Sequence, residues 1–328
     1  NYMKEFIINE NEAGQRFDKY LGKLLRDAPK SFFYKMLRKK NITLNGSKAT
    51  GNEKLTTGDH IKLFLSDDTF EKFAGTGETV ARAHQELDII YEDDNVLFIN
   101  KPAGMLSQPA DDKTPSLVEY LTGYLLDTGA VTEESLHTFR PSVCNRLDRN
   151  TSGLVAAGKS LTGLQELSTL FHNRSLHKFY RCLVKGVIKN EKYIKGYLHK
   201  DEKFNKVTEQ EFGTPEALPI ETRYRPLRDN GKVTLLEVEL ITGRTHQIRA
   251  HLAGEGHPLA GDYKYGLRSF NEMYRSKYGL KSQLLHAYRL EIPKIEGRLS
   301  YLSGREFTAS LPPQFQNILK EEHVEENK

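Results

Sequence analysis

At 328 residues, with 38% hydrophobic and 28% charged residues, the sequence has the composition of an ordinary globular protein and the length for two domains. No apolar run approaches membrane-spanning length, no basic-then-apolar start reads as a secretory signal, and two cysteines without paired spacing, Cys144 and Cys182, exclude a disulfide framework and point to a reducing cytoplasm. The net charge is only +4, yet residues 15 to 48 hold ten lysines and arginines against two aspartates, an end-loaded basic module of the kind a polyanionic partner selects.

The first module spans residues 12–66. Phe17, Tyr20, Leu21, Leu24 and Leu25 recur at helical spacing, with Lys19, Lys23 and Arg26 off that stripe. Ser31 is the expected N-cap of a second helix with Phe32, Phe33, Met36 and Leu37 on its apolar face and Lys35, Arg38 and Lys39 pointing elsewhere. Aromatics at this spacing are more often core than base-stacking platforms, so Phe32 and Phe33 are expected inside. Ile42-Thr43-Leu44 reads as a strand, Asn45-Gly46 as a tight turn, and Ile61, Leu63 and Leu65 alternate as a further strand. Residues 67–83 are mostly polar, carry Gly75 and Gly77, lack a period, and read as a linker.

A second domain covers residues 84–313. Leu87 to Tyr91 and Val96 to Ile99 read as a hairpin about an acidic turn, delivering Asn100-Lys101-Pro102-Ala103-Gly104. Further on, Asn145-Arg146-Leu147-Asp148-Arg149-Asn150-Thr151-Ser152-Gly153 precedes the apolar strand Leu154-Val155-Ala156-Ala157. Arg146 and Arg149 favour an ionised Asp148 by Coulomb attraction, and desolvation by the strand opposes them. On charge pattern alone, a surface ion pair or a turn former is the more frequent explanation of such an aspartate. Gly153 to Ser160 also fits G-x-x-x-x-G-K-[ST], but a phosphate loop must follow a buried strand, and here the interior of the pattern is itself the strand. The match is read as chance.

Leu161 to Phe171 has helical spacing, and Lys178 to Val184 alternates as a strand in which Tyr180 is ordinarily a half-buried aromatic. Residues 233–240 alternate as a strand; Thr245 then caps a helix ending at Gly254, with Arg249 and Leu252 one turn apart. His246, His251 and His257 lack a helical i, i+4 pair and a companion carboxylate, so no metal site is expected. Residues 314–328, with Glu321, Glu322, Glu325 and Glu326, read as an acidic, frayed tail.

Arg146-Leu147-Asp148 followed by Thr151-Ser152-Gly153 resembles the catalytic signature of the RluA-type RNA pseudouridine synthases, in which the aspartate is the nucleophile. Asn100 to Gly104, Gly243-Arg244-Thr245-His246-Gln247-Ile248-Arg249, His257 to Asp262 and Leu284-Leu285-His286-Ala287 extend the resemblance, in order, over about residues 90 to 312. Asn145 and Gln108 stand where that family usually places histidines. In the first module, the two helices, the Arg38-Lys39-Lys40 turn, Asn45-Gly46 and Gly58-Asp59 resemble the S4 RNA-binding domain.

The resemblance implies an α+β fold, with a mixed, mainly antiparallel sheet around a central cleft and a small α/β S4-like domain attached. It implies an isomerase acting on specific uridines, foremost in large-subunit (23S) ribosomal RNA, with transfer RNA as the other RNA partner. Asp148, Tyr180 and Arg249 are the implied catalytic set: Tyr180 stacks on the uracil and is a candidate general base, and Arg249, or alternatively Arg244, pairs with Asp148. Arg146, Thr151 and Arg244 are implied on the substrate side, and Lys35, Arg38, Lys39 and Lys40 face structured RNA through phosphate and shape contacts. No cofactor, no metal and a monomeric chain follow from it. The competing account is a non-catalytic RNA-binding or ribosome-assembly factor; retention of Asp148, Tyr180 and both arginines speaks against it.

Overall fold

The computed structural model describes residues 3–74, 83–110, 114–201, 206–210, 217–244 and 246–326. The N-terminal module contains β1 (Lys4–Ile7), α1 (Phe17–Leu24), α2 (Lys30–Arg38), β2 (Ile42–Leu44), β3 (Ser47–Lys48), β4 (His60–Leu63) and α3 (Asp67–Ala74). The strands form an antiparallel sheet in the order β1-β4-β2-β3. Phe17, Tyr20 and Leu21 of α1 and Phe33, Met36 and Leu37 of α2 close a core over Ile42, Ile61 and Leu63. Their burial supplies the stability of a module this small.

Three expectations for this region are corrected. The helix of α2 begins at Lys30 behind Pro29, and no side chain caps it, so Ser31 lies inside the first turn. Proline has a fixed φ and no N–H to satisfy, which lets it end the coil before a helix. The module starts earlier than residue 12, because β1 pairs along β4. The expected linker is in part a helix: within α3, Phe70 stacks on Phe6 with ring centroids 6.0 Å apart and Phe73 packs on Phe32 at 4.6 Å. Two aromatics among charged residues sufficed to bury one side of that helix; residues 75–82 of the expected linker lie outside the described residues.

The second domain runs through β5 (Asp88–Glu92), β6 (Val96–Lys101), α4 (Leu117–Asp127), β7 (Ser142–Val143), β8 (Ser152–Gly158), α5 (Leu161–His172), β9 (His177–Lys185), β10 (Lys192–Asp201), β11 (Lys206–Gln210), β12 (Leu218–Asp229), β13 (Val233–Leu240), α6 (Gln247–Gly254), α7 (Arg268–Tyr278), β14 (Leu285–Glu291), β15 (Glu306–Thr308) and α8 (Pro313–Glu321). Nine strands lie in the order β11-β10-β12-β13-β9-β14-β8-β6-β5, with β15 on β14 and β7 on β8. Among the described residues every pairing is antiparallel except β8 with β14, which run parallel at Ser152–His286 and Gly153–Ala287. The fold is therefore α+β with a mixed, mainly antiparallel sheet. At that parallel junction only glycine fits: Gly153 has φ +120, and a Cβ there would lie 2.3 Å from the Ala287 carbonyl oxygen.

The strand β8 is buried along its whole length, and its end passes straight into α5, whose N-cap Ser160 accepts a hydrogen bond from the Gly163 amide at 3.0 Å. Lys159 is tied to Glu92 at 2.6 Å. Residues 153–160 thus make a strand and a capped helix start, and the phosphate-loop pattern is a coincidence of spelling. The C-terminal segment also departs from expectation. Phe315, Ile318, Leu319 and Val324 are buried against Leu235 and Tyr274, and Glu326 forms an ion pair with the buried Arg181. Apolar residues at helical spacing among the glutamates hold residues 314–326 to the domain, where composition alone suggested fraying. No helix among the described residues is long and apolar enough to cross a membrane.

Candidate active site

Where β7 leads into β8, the connecting loop carries Asp148 and faces α6. Two neighbours hold this loop by its backbone. Ser107 Oγ donates to the Leu147 carbonyl at 2.8 Å and accepts from the Leu147 amide at 3.0 Å, and the Thr151 amide donates to the Asp148 carbonyl at 3.0 Å. Lys101, at the end of β6, is fully buried and donates from Nζ to the carbonyls of Pro102, Met105 and Arg149 at 2.7–3.0 Å. Three carbonyl dipoles satisfy the ammonium. Desolvation nevertheless pulls its pKa down to about 7, and the charge of Asp148 resists that fall.

The carboxylate of Asp148 meets two side chains from the start of α6. Arg249 Nη1 lies 3.3 Å from Oδ2, and His246 Nε2 lies 3.7 Å from Oδ1. Arg249 is held from behind by Asp262, which accepts from Nε and Nη2 at 2.9 Å each. That bidentate pair fixes the plane of the guanidinium and leaves Nη1 for Asp148. Asp262 is itself fully buried, and Oδ1 also accepts from the amides of Lys264 and Tyr265 at 3.1 Å. Burial works against the charge of Arg249, but the hydrogen bonds and charges of Asp262 and Asp148 outweigh it and raise its pKa. The start of α6 is pinned by Gln247, whose amide bonds the Glu221 carbonyl, Thr222, Thr242 and the Arg244 amide.

Asp148, His246, Gln247 and Arg249 line a cleft of about 350 Å³ with Arg146, Thr151, Tyr180, Leu240, Arg244 and Leu285. Tyr180, on β9, lines it with a nearly buried ring. Desolvation first, and the charge of Asp148 second, push the phenol pKa far above its ordinary value. The hydroxyl is therefore protonated at neutral pH, which suits a stacking wall better than the general-base role.

Of the expected site residues, Asp148, Tyr180, Arg249, Arg146, Thr151 and Arg244 converge on one cleft. The alternatives for the partner of Asp148 resolve in favour of Arg249. Arg244 lines the cleft with its Nε buried and without a hydrogen-bond partner among the described residues. The expected flanking pair does not hold Asp148: Arg146 is exposed at the cleft wall, and Arg149 turns away to donate from Nε to the Gly104 carbonyl at 3.1 Å. Successive side chains of a turn point in different directions, so sequence adjacency put the charges near each other without pairing them. Thr151 is buried, its Oγ1 accepting from Gln283 at 3.3 Å. Asn145 bridges β8, accepting from the Ala156 amide at 2.7 Å and donating to the Leu154 carbonyl at 3.3 Å. Asn145 therefore ties the loop to β8 and, among the described residues, makes no hydrogen bond to Asp148.

The expected cap Thr245 lies outside the described residues; His246 holds the N-cap position in a left-handed conformation, φ 55 and ψ 21. The three histidines of the discarded metal reading diverge: His246 faces Asp148, His251 Nδ1 sits 3.3 Å from Thr222, and His257 Nδ1 sits 2.8 Å from the Lys185 carbonyl. Lys35, Arg38, Lys39 and Lys40 are exposed at the C-terminal end of α2 and just beyond it. Residue reasoning missed Lys101, His246, Asp262 and Tyr265. A lysine ending an apolar strand and an aspartate directly after glycine were the available signals, both inside strings already singled out.

Comparison with known proteins identifies the family of the chain. Residues 95–254 match the sequence family described as RNA pseudouridylate synthase, a span that contains Lys101, Asp148, Tyr180 and Arg249. The ribosomal large subunit pseudouridine synthase C of Vibrio vulnificus is 34% identical over 289 residues, covering 85% of each chain. An uncharacterized RNA pseudouridine synthase of Mycoplasma genitalium is 32% identical over 96% of this chain and 98% of its own. Among solved structures, human RNA pseudouridylate synthase domain containing 4 superposes with a TM-score of 0.59 at 21% identity, over 74% of this chain and 95% of that one. With an aspartate cradled by a buried arginine in a cleft of that fold, and relatives matched along most of its length, the chain belongs to the RluA-type RNA pseudouridine synthases.

Proposed function

We propose that this isomerase acts on one or a few uridines of large-subunit (23S) ribosomal RNA. The observation that carries the catalytic part is the Asp148–Arg249–Asp262 chain, whose first two members line a cleft with room for one base and its ribose. The substrate part is supported by the names of relatives that match over most of their length. Transfer RNA is the alternative substrate.

In this reading the uridine leaves its stack, at a cost of roughly a few kcal/mol that protein contacts offset. Its ring lies against Tyr180, and Arg146 and the unpartnered Nε of Arg244 meet its polar edges or the adjoining phosphate. The N1–C1′ bond breaks, the base turns, C5 bonds to C1′, and the C5 proton is lost as N1 gains one. The sum is an isomerisation, and no external group enters. Asp148 serves as nucleophile at C1′ or as base on the ribose; each role uses the ionised carboxylate that the Arg249 guanidinium favours.

The N-terminal module is read as an S4-like RNA-binding domain, with Lys35, Arg38, Lys39 and Lys40 supplying phosphate contacts, and the working enzyme as a monomer in the cytoplasm. The test is a pseudouridine map of total RNA, by carbodiimide labelling and primer extension, from cells lacking the protein and cells re-expressing wild type or Asp148→Ala. Loss of discrete sites in 23S RNA, restored by wild type alone, supports the proposal. Lost sites in transfer RNA redirect it, and no lost site favours the non-catalytic RNA-binding factor.

A further inference from the structure

His246 is the second group aimed at Asp148, and its surroundings are built rather than incidental. Its Nδ1 lies 2.6 Å from the Tyr265 hydroxyl, and the two rings meet edge to face with centroids 5.4 Å apart. The same Tyr265 ring lies under the Arg249 guanidinium, 5.1 Å from the centroid, and its amide is fixed by Asp262 at 3.1 Å. One tyrosine thus braces both side chains that face the carboxylate.

The hydrogen-bond network assigns the tautomer. A lone pair on Nε2 would point at the Asp148 anion 3.7 Å away, which is repulsive, so Nε2 carries the proton and Nδ1 accepts from Tyr265. The separation is longer than a hydrogen bond, as catalytic contacts often are before substrate binds.

We propose that His246 is a positioning residue: its neutral Nε2–H, locked by the Tyr265 hydroxyl, steadies Oδ1 of Asp148 while Arg249 steadies Oδ2. The inference rests on the reading of Asp148 as the reacting carboxylate. Two donors at the two oxygens fix rotation of the carboxylate about its Cβ–Cγ bond and leave its remaining lone pairs turned to the ribose. A neutral donor does this without a second full charge, which would draw electron density from the attacking oxygen. The charged groups around His246 are Asp148 from the β7–β8 loop, Arg249 from α6, and Asp262 and Lys264 from the loop after it, with Arg146 and Arg244 also in the cleft. Desolvation is the largest influence on the imidazole and lowers its pKa below the ordinary 6.5, against the pull of Asp148, so the neutral form prevails at pH 7.

The positive φ of His246 supplies a discriminating pair of variants. Asparagine tolerates that backbone best but places its amide at the Nδ1 position, too short to reach Asp148; glutamine reaches the Nε2 position with a neutral donor. Single-turnover release of tritium from 5-³H-uridine is measured on an RNA containing a site at which wild type acts, with RNA affinity by filter binding. His246→Asn is expected to lower the single-turnover rate by about tenfold or more with affinity unchanged, the loss of one useful hydrogen bond. His246→Gln is expected to recover most of the rate and, having no titrating imidazole, to lack whatever part of the acid-side activity loss comes from protonation of His246. Tyr265→Phe, which keeps the ring under Arg249, is expected to slow the reaction in the same direction as asparagine. Equal rates for the asparagine variant and wild type, or rescue by asparagine and not by glutamine, would overturn the proposal in favour of a backbone role. Asp148→Asn is the control: if it stays active, the reading of the site itself fails, whereas an inactive Asp148→Asn beside an unaffected His246→Asn removes only the role given to His246.

Discussion

The basic end of α2 and the cleft at the start of α6 both gather positive charge, and they do so in opposite ways. Lys35, Arg38, Lys39 and Lys40 are all exposed, and each can meet a phosphate independently of the others. Arg249 is buried, is gripped by a buried Asp262, and turns its Nη1 to Asp148. An exposed charge adds a small, salt-screened increment, whereas a buried one is useful only while its partners remain. On the proposed reading, the first arrangement would provide affinity that tolerates substitution, and the second geometry that does not.

That contrast can be broken at its strongest point first. Replacing Asp148 by Ala is expected to lower the single-turnover rate by about four orders of magnitude or more while RNA affinity changes little, because the proposed mechanism loses its reacting group and keeps its binding surface. Retained activity would end the assignment. Next, Asp262→Ala leaves the Arg249 guanidinium buried without its main counter-ion, and a loss of about 3–5 kcal/mol in unfolding free energy is expected by urea denaturation, along with activity. A change well under 1 kcal/mol would mean that the cleft reorganises more freely than its buried ion pair implies.

A third test uses pH. Lys101 binds its proton less tightly in the folded protein, about 7 against 10.5, so above pH 7 the unfolded chain holds more protons and this residue makes stability rise with pH. Between about pH 7 and 8.5 the slope from this one group is at most about 1.4 kcal/mol per pH unit. Lys101→Met is expected to lack that rise, and the difference between the two proteins cancels other groups that titrate nearby. Identical slopes would show that the buried ammonium does not titrate in this window. The smallest effects are expected at the basic end of α2: alanine at Lys35, Arg38, Lys39 or Lys40 should each weaken RNA binding severalfold and lower the salt slope by about one, with the single-turnover rate at saturating RNA preserved. A rate defect there would erase the distinction between the two regions.

Elements with a strong apolar period are legible in the amino-acid sequence alone. The stripes of α1 and α2, the hairpin of β5 and β6, and the buried run of β8 all lie where their apolar spacing places them. Elements whose apolar residues are diluted by charge are not. Phe70 and Phe73 in α3, and Phe315, Ile318 and Leu319 in α8, form narrow stripes whose value depends on what they meet, and composition classes both segments as linker or tail.

The cleft divides along a similar line. Asp148, Tyr180 and Arg249 stand out because each lies in a dense local string. Asp262 and Tyr265 act on Arg249 and His246 from the loop following α6, and Lys101 acts on the Asp148 loop from 48 residues away at the Arg149 carbonyl. Local spelling settles which residue types could do the chemistry and the order in which they occur. Which arginine meets Asp148, that Arg149 turns away from it, and which buried groups hold the pair in place emerge only once the chain is folded. Such choices depend on direction, burial and the partner left for each hydrogen bond, and none of these is a property of neighbours along the chain.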